Sequence, residues 1–109
     1  MRIFSALADP TRAKIVQVLA RRDLSAGEIA ARFPVSRPAV SRHLGVLYRA
    51  RLVHIREDAQ RRVYSLNPAG LDEIEKWVMQ CRKVWNQRLD ALGSHLDQIA
   101  ARESKGEKK

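Results

Sequence analysis

The strongest constraint on the fold is a pair of helix start signals within residues 25–47. Ser25 and Glu28 have the spacing of a capping box, in which each side chain accepts a hydrogen bond from the other residue's backbone N–H. Pro34 ends this first helix and Ser36 caps a second one, in which Pro38 is tolerated because it lies in the first turn. The sequence therefore predicts two short helices joined by a tight turn.

The second of these helices separates into two faces. Val40, Leu44 and Leu47 fall on one side and are expected to pack inward. Small and basic residues fall on the opposite side, namely Pro38, Ser41, Arg42, Gly45 and Arg49. That side is either the solvated face of an ordinary amphipathic helix or a surface that enters a groove, and the two caps before it favour the groove.

A basic strand pair follows directly. Leu52–Glu57 and Arg62–Leu66 are rich in β-branched and aromatic residues, and Asp58–Arg61 is predicted to be the hairpin loop between them. Arg56, Arg61 and Arg62 cluster at or near its tip, where arginines contact phosphate oxygens or simply keep an exposed hairpin soluble. A supporting helix, a groove helix and a charged hairpin in this order predict a winged helix-turn-helix that binds DNA.

Composition agrees with a polyanionic partner. The 109 residues form one small domain with a net charge of +9, and no strongly apolar basic helix points to a membrane surface instead. No apolar run approaches the ~18 residues of a membrane span, and the N-terminus lacks the apolar region of a signal peptide. The single cysteine, Cys81, cannot form an internal disulfide, which favours a cytoplasmic protein. From the charge and the absence of an apolar span, we expect its partner to be double-stranded DNA and not a membrane.

The two ends of the chain are predicted to be helical. Arg2–Ala8 forms a short apolar helix, and Asp9 with Pro10 begins a second helix that reaches about Arg21. A long helix from about Ala69 to Arg102 follows the hairpin. We assign residues 1–103 to one DNA-binding and dimerisation domain and residues 104–109 to a disordered charged tail.

The long helix carries an apolar seam that a small domain cannot cover by itself. Apolar residues recur along it at spacings of three and four, as in a coiled coil with one stutter. The seam is predicted to form a homodimer interface, with a helix folded back wholly onto its own domain as the alternative. The predicted interface residues are Leu71, Ile74, Val78, Trp85, Leu89, Leu92 and Leu96, and Cys81 lies among them as a buried, inert thiol.

Three segments resemble the ArsR (arsenical resistance repressor) family of bacterial winged helix-turn-helix regulators. Phe4–Arg12 resembles its opening signature, Ser36–Leu47 its recognition helix, and Arg61–Leu66 its wing. The resemblance implies a mainly α fold with a small β-hairpin wing and a homodimeric repressor at a palindromic operator. It also implies DNA contacts by Ser36, Arg37, Pro38, Ser41, Arg42 and His43, although the helical angle of His43 leaves open a boundary position beside the core.

The chain departs from this family in its metal-binding and turn residues. It lacks the Cys-x-Cys pair of metal-sensing members, and His95 with Asp90 and Asp97 does not match their other ligand pattern. We therefore expect no metal and no cofactor, and no inducer is indicated. Arg51 and Ala59 replace two glycines that commonly adopt positive φ, which predicts altered turns or modest strain there.

These residues support one leading hypothesis and leave two alternatives. In the leading hypothesis, Ser41 and Arg42 read base edges in a sequence-specific regulator. Basic side chains then neutralise phosphates, namely Arg37, Arg49, Arg56, Arg61 and Arg62. A non-specific architectural DNA-binding protein and a protein-interaction adaptor are the alternatives. An enzyme is not expected, because the chain has no nucleophile elbow, phosphate-binding glycine loop or metal motif.

Overall fold

The computed structural model describes residues 2–107 and has a winged helix-turn-helix architecture, as predicted. The elements in order are α1 (Arg2–Leu7), α2 (Pro10–Leu19), β1 (Leu24–Ser25), α3 (Ala26–Arg32), α4 (Arg37–Arg49), β2 (Val53–Asp58), β3 (Arg61–Leu66) and α5 (Pro68–Glu107). The backbone divides into two compact units, of which the first ends at Ile74 and the second begins at Glu75. Helices α3 and α4 form the helix-turn-helix, and β2 with β3 forms the wing.

The predicted helix caps are confirmed. The Asp9 carboxylate accepts the Arg12 N–H at 3.0 Å, and Pro10 occupies the first turn of α2. In the capping box, Ser25 Oγ accepts the Glu28 N–H at 3.2 Å while Glu28 Oε1 accepts the Ser25 N–H at 3.0 Å. Ser36 Oγ accepts the Ala39 N–H at 3.3 Å, which fixes the first turn of α4.

The sheet has a third strand that the sequence did not predict. Its order is β1-β3-β2, and both pairings are antiparallel. Strand β1 contains only Leu24 and Ser25, which lie opposite Tyr64 and Val63 of β3. A strand of two residues is too short to show an alternation of apolar and polar residues. Only its pairing with β3, distant in sequence, defines this strand. It joins the start of α3 directly to the wing.

The core of the first unit fixes the orientation of α4. Val40, Leu44 and Leu47 are buried as predicted, in one cluster with aliphatic residues from α1, α2, α3 and the sheet. The fully buried large side chains of this cluster are Ile3, Ile15, Leu24, Ile29, Leu44, Leu47, Leu52 and Val53. Because one side of α4 is held in the core, its opposite side is exposed.

Arg51 and Ala59 adopt the positive φ angles for which other members use glycine. Arg51 has φ 61° directly after α4, where its N–H donates to Tyr48 O and the next N–H, of Leu52, donates to Leu47 O, each at 3.0 Å. These two bonds form a Schellman motif with arginine in place of glycine. Ala59 has φ 58° at the first position of a two-residue turn, the pattern of a type II′ hairpin. The predicted hairpin loop is therefore shorter than four residues, and its strain lies at Ala59.

Helix α5 is longer than predicted at both ends. It begins at Pro68 and ends at Glu107, so the backbone of 104–107 is helical, while 108–109 of the predicted tail lie outside the described residues. Near its start Gly70 is buried, and a Cβ there would stand 2.6 Å from Arg51 O, so only glycine fits this approach. Within the described residues no helix has an apolar run sufficient to cross a bilayer.

Replacing the two strained residues with glycine should stabilise the fold. Positive φ costs a non-glycine residue about 1–2 kcal/mol, and the extra freedom of glycine in the unfolded chain offsets about 0.4–1 kcal/mol of this. We therefore expect Arg51→Gly and Ala59→Gly each to raise the free energy of unfolding by about 0.5–1 kcal/mol in urea titrations. Gln60→Gly, at the neighbouring turn position without positive φ, is the control and should not raise it.

Candidate nucleic-acid interface

The outward side of α4 displays the residues predicted to approach DNA. Pro38, Ser41, Arg42 and Arg49 are exposed, and the buried side of the helix anchors them from behind. The Arg49 guanidinium folds back along this side, with Nη1 3.4 Å from where a Cβ on Gly45 would stand. Together these residues form a small, basic and nearly flat helix surface of the kind that fits a major groove.

A groove runs between α4 and the wing. Its volume is about 450 Å³, and it is lined by Ser41, Leu44, Gly45 and Tyr48 of α4 with Ile55, Glu57, Arg62 and Tyr64 of the sheet. The groove brings together the predicted residues Ser41 and Arg62. It also contains the exposed Tyr48, which the sequence analysis missed although it lies seven residues after Ser41 and hence on the same side of the helix.

A second cavity collects three of the predicted arginines. Arg37, Arg61 and Arg62 surround a space of about 390 Å³ with Gln60 of the hairpin turn and the backbone at the start of α3. The Arg37 guanidinium extends over α3, with Nη2 3.2 Å from where a Cβ on Gly27 would stand. This arrangement concentrates positive charge where the helix-turn-helix meets the wing.

Two wing arginines form ion pairs within the domain. Arg56 Nη1 donates to Asp23 Oδ2 at 3.0 Å, and Arg61 Nη2 lies 3.8 Å from Glu28 Oε1. Strand alternation puts Arg56 and Arg61 on one face of the hairpin and Arg62 on the other, toward α4. Among the side chains that the structure describes, no carboxylate pairs with Arg62 within 4.0 Å.

His43 is turned away from the exposed side of α4. Its side chain is 18% exposed, its Nδ1 atom lies 3.2 Å from Arg12 Nη1, and the Asp9 carboxylate is 3.9 Å away. Of the two positions left open by the sequence, this placement favours the boundary residue over a phosphate contact. The sequence indicates no role for the Arg12 side chain, because no local pattern links residue 12 to residue 43.

Hydrogen bonds hold two carboxylates of this region in the ionised form. The backbone N–H of Arg12 lowers the pKa of Asp9 below its ordinary value of 3.8, and the positive charge of the Arg12 guanidinium adds to this. The backbone N–H and hydroxyl of Ser25 lower the pKa of Glu28 below 4.5, with a smaller contribution from Arg61. Both carboxylates therefore remain negative as N-terminal caps, where the helix dipole also favours them.

The predicted seam of α5 is divided between the two units. Leu71 and Ile74 belong to the first unit, where Ile74 packs against the core. In the second unit the predicted interface residues are exposed in the single chain: Val78, Trp85, Leu89, Leu92 and Leu96. Cys81, expected to be buried on the seam, is also exposed in the single chain. In the described part of the chain, no three His, Cys, Asp or Glu side chains are grouped closely enough to hold a metal ion.

Comparisons with known proteins agree with this architecture. A family model described as a helix-turn-helix domain matches residues 7–56. The HTH-type transcriptional regulator Rv2034 of Mycobacterium tuberculosis is 57% identical over 96 residues, which cover 88% of this chain and 87% of that protein. The transcriptional repressor SdpR of Bacillus subtilis is 38% identical over 77 residues, covering 71% and 86%.

A solved structure extends the agreement to the fold. The ArsR-like transcriptional regulator from Rhodococcus sp. RHA1 superposes with a TM-score of 0.74 and 34% identity, covering 84% of this chain and 86% of that chain. The chain belongs to the ArsR family. It is therefore a DNA-binding transcriptional regulator with a winged helix-turn-helix, and its family is one of regulators rather than enzymes.

The lowered pKa values predict how the N-terminal caps respond to acid. A carboxyl whose pKa is lower when folded adds stability above its ordinary value, and this stability is lost as pH falls through the lower folded value. Asp9→Asn and Glu28→Gln keep the capping hydrogen bonds but remove the charge. We expect their deficit in unfolding free energy to be constant above the ordinary values, 3.8 and 4.5, and to shrink below them.

Urea titrations from neutral to acidic pH measure this deficit. The wild-type protein should approach each variant in stability as the pH falls, because protonation removes the same charge that the substitution removes. A deficit that grows on acidification would contradict the assigned direction of the pKa shifts.

Proposed function

We propose that this protein is a homodimeric repressor that binds a palindromic operator. The observation that carries the proposal is the pairing of an exposed basic helix surface on α4 with an exposed apolar seam on α5. The first matches the shape of a major groove, and the second is the kind of surface that a soluble chain covers with a partner. The repressor SdpR, a relative over most of its length, supports the direction of regulation.

Base recognition in this proposal falls to Ser41 and Arg42. Both are exposed on α4, and an arginine can donate two hydrogen bonds to the O6 and N7 atoms of guanine. Ser41 lines the groove beside the wing, so its hydroxyl is available to a base edge or an adjacent phosphate. Pro38 and Arg49 lie along the same outward side, and Ser36 is exposed at the N-cap of the helix. These residues would fix the position of the helix on the duplex.

Phosphate binding falls mainly to Arg37, Arg61 and Arg62 around the second cavity. Arg62 is expected to contribute most, because DNA does not have to displace a carboxylate from it. Arg56 and Arg61 must first exchange Asp23 and Glu28 for phosphate, and exposed ion pairs of this kind are worth up to about 1 kcal/mol. The wing arginines should therefore differ in how strongly they bind phosphate.

Dimerisation would complete the site. Trp85, Leu89 and Leu92 are each between 44% and 53% exposed, and burying such side chains on a second copy stabilises an assembly through the hydrophobic effect. A two-fold dimer presents two recognition helices to successive major grooves about 34 Å apart, which requires an operator with matching symmetry. A monomer would contact only one half-site.

The first experiment compares binding to the DNA upstream of the gene with binding to a scrambled duplex, by fluorescence anisotropy at ~150 mM salt. A preference of about 10³ or more is expected for a specific regulator, whereas equal affinity at every tested operator would support the architectural alternative. Sedimentation equilibrium on the same samples should give a dimer. A promoter fused to a reporter gene should be silenced by the protein, and stimulation instead would contradict repression.

A charge on the seam should separate dimerisation from folding. Leu89→Lys places an ammonium on the seam and should yield monomers with weakened operator binding, because a buried unpaired charge is costly. Gln87→Lys adds the same charge on the opposite side of α5 and is the matched control, which should remain dimeric. Equal sedimentation of the two variants would contradict the assigned interface.

The wing arginines give a separate prediction. Arg62→Ala should weaken binding to operator and scrambled duplex alike and reduce the salt slope by about one unit, as expected for one lost phosphate contact. Arg56→Ala should have a smaller effect, because Arg56 is already paired with Asp23. Arg42→Ala should instead lower the operator preference, by ~1–3 kcal/mol if its base contact is bidentate. A larger loss for Arg56 than for Arg62 would contradict the assignment.

A further inference from the structure

One cluster of polar groups connects three helices. This Arg12 cluster comprises Arg12, Asp9, His43 and the carbonyls of Ser5 and Ala6. Arg12 Nε donates to Ala6 O at 2.7 Å, Nη2 donates to Ser5 O at 3.3 Å, and Nη1 lies 3.2 Å from His43 Nδ1. The two carbonyls belong to the last turn of α1, Arg12 itself lies in α2, and His43 lies in α4. One guanidinium therefore joins α1 and α2 to the recognition helix.

The chemistry of this contact fixes the state of the imidazole. A guanidinium only donates hydrogen bonds and remains charged, so His43 Nδ1 is the acceptor and the ring proton resides on Nε2. Asp9, which receives the Arg12 backbone N–H, has its carboxylate 3.9 Å from the same Nδ1 atom. The ring of His43 is thus held in one orientation from the inner side of α4.

This polar contact differs in kind from the rest of the inner surface of α4. Val40, Leu44 and Leu47 pack through aliphatic contacts, whose stabilisation depends on buried area and not on direction. A hydrogen bond is directional and weakens steeply as its angle departs from linear. The bond to His43 lies in the same turn as Ser41 and Arg42, so it restrains the part of α4 that faces DNA.

We propose that Arg12, acting through His43, is a positioning residue that sets the rotation of α4 and thereby its discrimination between DNA sequences. This inference rests on the proposed function, because it assigns a role to residues behind the DNA-binding surface. It also gives the N-terminal segment Phe4–Arg12 a part in recognition without contact with DNA.

The test is a double-mutant cycle on DNA binding. Arg12→Lys keeps the charge but replaces three separated nitrogens by one, so it cannot reproduce the contacts that Nε, Nη1 and Nη2 make with separate acceptors. His43→Leu removes the acceptor at similar size. Each should lower the operator-to-scrambled affinity ratio by about tenfold while leaving the scrambled affinity within about twofold. The double variant should be no worse than either single one, and His43→Gln, whose carbonyl can accept from Arg12, should retain most of the ratio.

Other results would overturn the proposal. Thermal stability is measured alongside, and variants that lose stability but keep the wild-type ratio would show a merely structural role. An equal loss on both duplexes for His43→Leu, additive with Arg12→Lys, would mean that His43 contacts phosphate directly. Arg42→Ala, which leaves the cluster intact, serves as the reference for a lost base contact.

A measurement without DNA separates this proposal from the proposed function. If the wild-type protein shows no operator preference, the specific regulator is excluded, and nuclear magnetic resonance of the free protein decides the positioning role. The histidine ring nitrogens should report a protonated Nε2 at His43, and the backbone amide shifts of residues 41–45 should change in the same direction in Arg12→Lys and His43→Leu. A protonated Nδ1, or amide shifts that do not move, would overturn it.

Discussion

Burial of the inner side of α4 is the contact on which the DNA-binding surface depends. Val40, Leu44 and Leu47 enter a core built from every element of the first unit, and each such side chain contributes about 1.5–3 kcal/mol when fully buried. The outward side is then exposed by geometry, since residues three and four apart share one side of a helix. The apolar core thus decides which side of α4 is exposed, and the polar contact between Arg12 and His43 adds to its support from behind.

The backbone at the end of α4 determines where the sheet and the first turn of α5 begin. The Schellman motif at Arg51 turns the chain sharply, so that Leu52 is buried in the core and the sheet begins at the next residue, Val53. Gly70 then brings the first turn of α5 against the carbonyl of Arg51. Arg51, with its positive φ, thus lies between buried residues of the core and the close approach of Gly70.

Local patterns in the sequence predicted most of this architecture. The caps at Asp9, Ser25 and Ser36, the two sides of α4 and the wing strands all depend on residues within a few positions of one another. Even the two strained turns at Arg51 and Ala59 could be anticipated, because glycine is the residue expected at positive φ.

Contacts between distant residues were beyond the reach of sequence patterns. Strand β1 exists only through pairing with β3, and the contacts of Arg12 with His43 and of Arg56 with Asp23 join residues about thirty positions apart. Tertiary packing determines which polar groups meet, and no periodicity in the sequence predicts the partner of a charged residue. Tyr48 is different, because its helical position alone would have placed it in the groove.

Two acidic residues near the start of α3 reduce the charge repulsion around the wing. A net charge of +9 creates repulsion among the arginines that DNA must bind, and this repulsion opposes the compact state. Asp23 and Glu28 reduce it locally by pairing with Arg56 and Arg61, which lie on the opposite face of the hairpin from Arg62. In the proposed complex with DNA, the same pairs would make Arg56 and Arg61 weaker phosphate ligands than Arg62. This division follows from strand alternation, which sends neighbouring residues of β3 to opposite faces.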